Sequence, residues 1–240
     1  PSSAASDVYK RQINGAGGTL QLQHNLNVGT STSRAVTLTN GSLDLNGYTL
    51  TIFGSFVSSN SNTRTIAFGA TGKIVMSTTA ATSTTVTSLA TFTNLTVTGT
   101  DPLLQFTGSG VGPLNIVGVS SYISLQLSPA AAATIAITQE VKDLRIDNSS
   151  NITLTNSTRS IYGSLTIAGT NPTINAGTFT TTFAATSGTQ TITTNGKTLD
   201  FPITFDGVGG TWQLQDALSV GTATSRTVTL TNGTLAVSYT

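Results

Sequence analysis

Eight acidic side chains are the candidates for acid–base chemistry in residues 13–240. A glycoside hydrolase needs two carboxyl groups about 5–9.5 Å apart, one as the acid and the other as nucleophile or base. No two of the eight are adjacent in the sequence, and most fall where a solvated turn is expected. We therefore predict no catalytic residue and no enzymatic activity. The eight are Asp44, Asp101, Glu140, Asp143, Asp147, Asp200, Asp206 and Asp216.

Charge is most concentrated in residues 139–147, which read QEVKDLRID. In a strand, alternation would place Asp143, Arg145 and Asp147 on one face and the two apolar residues between them on the other. Two carboxylates beside an arginine have the chemistry to hold a glycan or a calcium ion. The same pattern is typical of an exposed strand whose charges neutralise one another, at about 0.2–1 kcal/mol per pair. We favour this second interpretation.

Histidine and cysteine chemistry has little to build on, because His24 is the only histidine and cysteine is absent. A Ser-His-Asp set or a metal site rich in histidine or cysteine therefore lacks its residues. Asp216 stands at the position of His24 in the long repeat described below, so that position does not require an imidazole. We predict that His24 lies in a surface turn and that the chain binds no metal and no cofactor.

Four arginines occupy similar positions, each directly before a segment that resembles a strand. A row of arginines would suit an anionic glycan. We favour a structural role instead, in which each arginine lies at a corner and its guanidinium caps carbonyl groups of the neighbouring turn of the chain. The four are Arg34, Arg64, Arg159 and Arg226.

The aromatic residues are predicted to lie in the core rather than to form platforms for sugar rings. Trp212 stands where the first copy of the repeat has Leu20, in an otherwise matched segment, which indicates a core position. The nine phenylalanines are predicted to fill the core for the same reason: Phe53, Phe56, Phe68, Phe92, Phe106, Phe179, Phe183, Phe201 and Phe205.

Composition argues against two classes of partner. Without residues 1–12 the chain has eight basic and eight acidic residues, so no basic patch remains for a nucleic acid. It has no run of about 18 apolar residues, so no membrane span is predicted. Threonine makes up 49 of the 240 residues, and the 37% of residues that are hydrophobic alternate with polar ones in short runs. This pattern predicts strands.

The chain repeats itself over a distance of 192 residues. Residues 15–43 return as residues 207–235, with 21 of the 29 positions identical and no gap. Such self-similarity is typical of proteins built by stacking. The second copy stops soon after it begins, so we expect residues 13–240 to be a single continuous fragment, truncated at both ends. Residues 1–12 (PSSAASDVYKRQ) resemble a translated sequencing adapter, and we set them apart as a non-native or disordered segment.

A shorter period lies beneath the long one, because Thr-x-Thr motifs recur at steps near multiples of about 19 residues. A unit of about 19 residues is too small to bury its own core, so its copies must stack. We predict an all-β fold, a parallel β-helix (β-solenoid) with rungs of about 19 residues. A tandem of antiparallel β-sandwich domains, which also shows short strands every 8–12 residues, is the alternative.

Residues 36–51 (VTLTNGSLDLNGYTLT) and 227–237 (TVTLTNGTLAV) resemble the Thr/Asn-rich repeats of bacterial surface adhesins and phage tail fibres. The resemblance implies a right-handed parallel β-helix of the pectin-lyase-like kind, located outside the cell, on a cell surface or on a virion. We expect a structural or adhesive rod. The alternatives are a β-helix that binds or degrades polysaccharides and an ice-binding solenoid that uses its Thr-x-Thr rows. Surface glycans or a host receptor reached through loops, and a homo-oligomer, are left open as partners.

Overall fold

The computed structural model describes residues 11–30, 34–78, 84–89, 91–108, 114–119, 122–129, 131, 133–147, 152–154, 158–168, 174, 178–221 and 226–237. These residues form strands and no helix, so none of them belongs to a helix that could span a membrane. The strands are β1 (Arg11–Gln21), β2 (Leu26–Val28), β3 (Ala35–Asp44), β4 (Thr49–Ile52), β5 (Ser55–Val57), β6 (Arg64–Ala67), β7 (Lys73–Met76), β8 (Thr84–Ser88), β9 (Leu95–Thr98), β10 (Leu103–Phe106), β11 (Leu114–Val119), β12 (Ser124–Leu127), β13 (Ala133–Val141), β14 (Leu144–Ile146), β15 (Ile152–Leu154), β16 (Arg159–Ile161), β17 (Leu165–Ile167), β18 (Thr181–Phe183), β19 (Thr189–Thr193), β20 (Thr198–Leu199), β21 (Ile203–Leu214), β22 (Ser219–Val220) and β23 (Val228–Val237).

Every pairing between the described strands is parallel. The chain is a parallel β-solenoid of about 8 turns, which confirms the predicted fold class. The alternative of antiparallel sandwich domains is therefore wrong. One column of aliphatic residues, which we call the aliphatic column, pairs from turn to turn along the stack: Leu26, Leu50, Ile74, Leu104, Leu125, Leu144, Leu165, Ile192 and Leu214.

The turns are longer and less regular than predicted, with a spacing of about 23 residues. The step from Leu125 to Leu144 is much shorter than the step from Leu165 to Ile192. The strands of the aliphatic column up to β19 keep a length of 3–5 residues. The variation therefore lies in the rest of each turn and not in these strands. The predicted rung of about 19 residues is therefore shorter than the observed spacing, and it fits only the shortest steps, such as that from Leu125 to Leu144.

Alternation within each strand divides its side chains between the core and the surface. In β4, Leu50 and Ile52 are buried, whereas Thr49 and Thr51 are partly exposed. Burying a leucine or isoleucine side chain stabilises a protein by about 1.5–3 kcal/mol. Because this contribution recurs on each turn, the core is one continuous rod of apolar side chains rather than a globular centre.

An aromatic group completes the core near β21. The rings of Phe183 and Phe205 stack with centroids 5.1 Å apart, and the Trp212 ring lies 5.2 Å from that of Phe205. Trp212 is buried, which confirms its prediction, as are Phe56, Phe68, Phe106, Phe183, Phe201 and Phe205. Phe53 and Phe92 are half-buried. The prediction is wrong for Phe179, which lies in the corner before β18 and is exposed.

The long sequence repeat is also a structural repeat. β1 pairs with β3 as β21 pairs with β23, so that Ile13 opposite Leu38 has its counterpart in Phe205 opposite Leu230. Two register shifts occur in each pair, at equivalent positions of the two copies. The first strand begins at Arg11, inside the N-terminal segment that the sequence sets apart. Residues 1–10 lie outside the described residues.

A glycine corner explains why the repeat retains its Asn-Gly pairs. Gly41 and Gly233 both have positive φ angles, 82° and 88°. A Cβ atom on Gly41 would lie 2.3 Å from the carbonyl oxygen of Gly15, and one on Gly233 would lie 2.6 Å from that of Gly207. Only glycine tolerates both the left-handed conformation and the close backbone.

Candidate functional site

A network of side chains joins neighbouring turns on one outer face; we call it the charged ladder, and it consists of Asp101, Ser124, Lys142, Asp143 and Arg145. Arg145 Nη2 donates to Asp101 Oδ2 at 2.9 Å and lies 3.7 Å from Asp143 Oδ2. Ser124 Oγ lies 3.2 Å from Asp101 Oδ1 and 3.0 Å from Asp143 Oδ2. Lys142 Nζ is 3.7 Å from Asp101 Oδ1. Two cations and two carboxylates therefore neutralise one another.

The register of the solenoid positions these groups. β12, which begins with Ser124, pairs with β10 on one side and β14 on the other. Leu144 and Ile146 of β14 are buried, so Arg145 between them points outward. The predicted alternation is confirmed here. Asp147 follows β14, is exposed, and accepts a hydrogen bond from Gln126.

The sequence names Asp101 as an acid but does not place it beside Arg145, and it gives no sign of Ser124. Asp101 lies 44 residues before Arg145, its main partner. No local motif marks it, and a uniform short rung would place other residues beside Arg145. Only the observed register brings Asp101 to this face.

The electrostatics of the charged ladder favour an ionised Asp101. Burial raises the pKa of Asp101, but the hydrogen bond and charge of Arg145, together with Ser124 and Lys142, outweigh burial and hold the pKa below its ordinary value. The acid of a glycoside hydrolase needs the opposite shift, a raised pKa. The carboxyl group is thus arranged to pair with a cation rather than to donate a proton.

The other acidic residues also bond to neighbouring turns. Arg226 Nε donates to Asp200 Oδ1 at 2.7 Å, and the backbone nitrogen of Thr194 donates to Asp216 at 3.0 Å. No group of three or more His, Asp or Glu side chains that could hold a metal ion is found in the part of the chain that the structure describes. The remaining partners are Gln21 for Asp44, Tyr162 for Glu140 and Asn232 for Asp206.

A shallow open cleft of about 350 Å³ adjoins the charged ladder. Tyr122, Lys142 and Tyr162 follow one another on three successive turns and line it; we call them the tyrosine row. The backbone nitrogen of Lys142 donates to Ile123 O, and that of Tyr162 donates to Val141 O, so the corners stack directly. The cleft is also lined by Val97, Gly99, Thr100 and Pro102.

The two tyrosines of the row differ in their surroundings. Tyr122 is 70% exposed, so one ring lies open to solvent. Tyr162 is half-buried and its hydroxyl donates to Glu140 Oε1 at 3.1 Å. Burial and the Glu140 carboxylate raise the pKa of Tyr162, so its phenol stays neutral at physiological pH. The cleft therefore offers apolar rings beside polar groups.

Arg64 confirms the predicted capping role. It is fully buried as the first residue of β6, and its Nη2 donates to the carbonyl oxygens of Thr91 and Thr93 on the next turn at 3.0 and 2.9 Å. Nη1 donates to the carbonyl oxygen of Ser58, and Nε donates to that of Asn62 at 3.0 Å. Burial lowers the pKa of Arg64. The guanidinium thus joins three segments of backbone.

Arg159 caps no carbonyl group among the described residues, so the structure does not confirm the capping role for it. Its Nε donates to Thr181 Oγ1 at 2.9 Å, and its guanidinium lies 5.3 Å from the centre of the Phe201 ring. Its two Nη atoms have no hydrogen-bond partner among the described residues, and burial lowers the pKa of Arg159 to about 10. Arg226 forms an ion pair with Asp200, which the capping role did not anticipate. Arg34 precedes β3.

His24 lies in an exposed bend between β1 and β2, as predicted. The chain matches no known protein-family model, no curated protein and no solved structure.

Proposed function

We propose that this chain is a structural rod segment, without catalytic activity, of a bacterial surface protein or phage tail fibre. The aliphatic column, which runs from Leu26 to Leu214 without interruption, carries the proposal. About eight turns spaced about 4.8 Å apart give a rod of about 40 Å. Each inner turn pairs with its neighbours on both sides, so local opening breaks two ladders at once. A part that maintains length and resists proteolysis needs this property.

The placement on a cell surface or virion belongs to the same proposal. It is supported by the resemblance of the Thr/Asn-rich repeats and by the absence of cysteine. Labelling of intact producing cells or virions with an antibody against this chain tests it. We expect labelling without permeabilisation, and labelling only after permeabilisation would contradict the placement.

The rod is tested through its end-to-end distance. The chain has no cysteine, so spin labels can be attached at two introduced ones. Gln23 and Gln215 are equivalent in the repeat and both are exposed. We expect Gln23→Cys/Gln215→Cys to give one narrow distance distribution near about 40 Å. The same pair in denaturant is the control for a disordered chain, and a native distribution as broad as that one would contradict a rigid rod.

The absence of catalysis needs its own test. The lowered pKa of Asp101 and the pairing of the other described acids support it. We expect no release of reducing ends from a panel of acidic and neutral polysaccharides. Release that is lost in Asp101→Asn or Asp143→Asn would show an enzyme and overturn this part of the proposal.

A second function, contact with a neutral glycan, is favoured by the tyrosine row. Tyr122 and Tyr162 lie two turns apart on either side of Lys142, and an extended sugar chain running along the rod would meet each in succession. Because Lys142 and Arg145 are already neutralised by carboxylates, a neutral saccharide suits the cleft better than an anionic one.

Glycan-array binding tests this second function. Aromatic contacts contribute about 0.5–1.5 kcal/mol, so Tyr122→Ala should weaken binding roughly two- to thirteenfold. Tyr48→Ala removes an exposed tyrosine outside the cleft and serves as the control. Equal binding by both variants would exclude the cleft. The ice-binding alternative has less support, because Thr96 and Thr98 lie over Thr65 and Ala67, so the Thr-x-Thr motif is not repeated there.

A further inference from the structure

Two corners within the stack, residues 45–48 and residues 194–197, are built on the same tight turn. Their central residues are an asparagine and a glycine, with φ angles of 50° and 81° in the first corner and 53° and 70° in the second. Positive φ at both central positions defines a type I′ turn, which Asn-Gly pairs favour. A backbone hydrogen bond closes each turn, at 2.8 Å in the first and 3.1 Å in the second. We call them the Asn46 turn and the Asn195 turn.

The surroundings of the two asparagines are also alike. Asp44 Oδ1 accepts a hydrogen bond from the backbone nitrogen of Asn46 at 2.8 Å, and Asp216 accepts one from the backbone nitrogen of Asn195. Both asparagines are exposed. Turn type, nearby charge and access to water are therefore matched between the two corners.

The two turns differ in how their glycines are held. Gly47 N donates to Phe68 O at 3.2 Å, and Gly47 O accepts from Thr71 Oγ1 at 3.0 Å. Asn46 Nδ2 also donates to a carbonyl oxygen of the preceding turn of the solenoid, at 3.3 Å. Gly196 makes no hydrogen bond with the described residues, and a Cβ atom built on it would meet nothing within 4 Å. The backbone nitrogen of Gly196 is therefore open to solvent, whereas that of Gly47 is tied to the next turn.

An Asn-Gly pair has an intramolecular reaction available to it. The glycine backbone nitrogen attacks the asparagine Cγ, an N–Cγ bond forms, and the side-chain nitrogen leaves as ammonia with the proton that the glycine nitrogen gives up. Water then opens the resulting succinimide at one of its two carbonyl groups, which yields aspartate or isoaspartate. Glycine suits this step because it has no side chain to hinder the attack and its backbone is free to rotate.

We propose that Asn195 is a site of spontaneous deamidation and that it converts faster than Asn46 in the folded chain. Gly47 N has to leave Phe68 O before it attacks, whereas Gly196 N has no such bond to break. Losing one net hydrogen bond on the way to the transition state slows the reaction roughly two- to thirteenfold. This modification goes beyond the proposed rod, which does not depend on it.

Asn40 provides a third Asn-Gly pair that also lies between described strands. Gly41 is buried, and its nitrogen donates to Thr63 O at 3.0 Å. Water and free rotation are both restricted there, so we expect Asn40 to convert more slowly than Asn195.

Conversion would change the corner between β19 and β20. Isoaspartate carries the backbone through the former side chain and so lengthens the turn by a carbon atom. Both products add a carboxylate near Asp216, which accepts hydrogen bonds from Thr194 N at 3.0 Å and Thr194 Oγ1 at 2.9 Å. Because like charges repel, we expect faster hydrogen exchange at the amide of Thr194 in converted chains.

Peptide mapping by mass spectrometry during incubation of the folded chain at mildly alkaline pH tests the proposal. We expect the Asn195 peptide to convert roughly two- to thirteenfold faster than the Asn46 peptide. The same chain in denaturant is the control, since loss of the hydrogen bonds should bring the two rates together. Conversion at Asn46 as fast as at Asn195 in the folded chain would overturn the proposal.

Two variants assign the reaction to its residue. Asn195→Gln lengthens the side chain and disfavours the five-membered ring, so it should remove the early conversion. Asn46→Gln is the matched control and should leave that conversion unchanged. Circular dichroism checks that each variant retains its strands. No conversion at Asn195 in the folded unaltered chain, over a time in which the denatured chain converts, would also overturn the proposal.

Discussion

Two regions of the solenoid, the pair β1–β3 and the pair β21–β23, share sequence and register but not burial. Leu38 is fully buried and its counterpart Leu230 is exposed, while Leu20 is exposed and its counterpart Trp212 is buried. In a globular core a strand pattern largely determines which side chains are inside. In this stack a side chain is buried only when a turn also lies on each side of its strand. Strands of nearly identical sequence therefore contribute differently to stability at different positions along the stack.

The largest expected effect concerns the aromatic position. Trp212→Ala should lower the free energy of unfolding by about 3–5 kcal/mol, because it opens a cavity beside Phe205. Leu20→Ala, at the equivalent position, should cost less than about 1 kcal/mol because the side chain is already half in solvent. Urea unfolding at low protein concentration measures both. Equal losses in the free energy of unfolding would show that the two positions do not differ in burial in solution.

Leu38 and Leu230 provide a pair with the same residue at both positions. We expect Leu38→Ala to cost about 2–5 kcal/mol and Leu230→Ala less than about 1 kcal/mol. The side chain removed is identical and each leucine has an apolar partner on its near side, Ile13 or Phe205, so the difference reports mainly the covering turn. A cost at Leu230 as large as that at Leu38, measured in the same urea titration, would mean that β23 is covered in solution.

The glycine corner should behave alike in both regions. Gly41→Ala and Gly233→Ala should each lower the free energy of unfolding by about 1–3 kcal/mol, since both positions have positive φ and face a carbonyl oxygen. Thermal unfolding of the two variants tests this equality. A tolerated Gly233→Ala beside a costly Gly41→Ala would show that the corner of β23 relaxes when no turn covers it.

The charged ladder extends the comparison to the middle of the stack, which has no second copy. The pKa of Asp101 is lower in the folded than in the unfolded chain. Its contribution to stability is therefore complete above about pH 4 and is lost as the pH falls through the folded pKa. Asp101→Asn should flatten this acid dependence by less than about 1 kcal/mol, since the side chain is 41% exposed. Urea unfolding at a series of acidic pH values measures this. If the free energy of unfolding of Asp101→Asn fell with pH as steeply as that of the unaltered chain, the prediction would be wrong.

The fold class could be predicted from the sequence because both of its signals can be read without knowing which residues are neighbours in space. Alternation is visible within a short segment, and the repeat is found by aligning the chain with itself. The rung length could not, because the corners differ in length and a Thr-rich strand looks much the same in several registers. The step from Leu165 to Ile192 illustrates this, since it spans more residues than the step from Leu144 to Leu165 although the paired strands are equally short or nearly so.

The charged ladder and the cleft could be predicted only where their residues belong to one strand. Asp143 and Arg145 share a strand face, which alternation reveals, whereas Asp101 and Tyr122 reach the same surface only through the register. The arginines show a further limit. Arg64 and Arg159 both begin a strand and both are buried, yet among the described residues only Arg64 donates to carbonyl oxygens. Their surroundings come from other turns, which the residues beside each arginine do not specify.

The shared register of the two repeat copies has a consequence for how such a chain can change over generations. Duplication of one full repeat would join a β21-like strand to the turns that already follow β1. The junction would use contacts that the chain has already formed, so the rod could lengthen without any compensating substitution. The length of the rod could therefore change in steps of one whole repeat without a change of register.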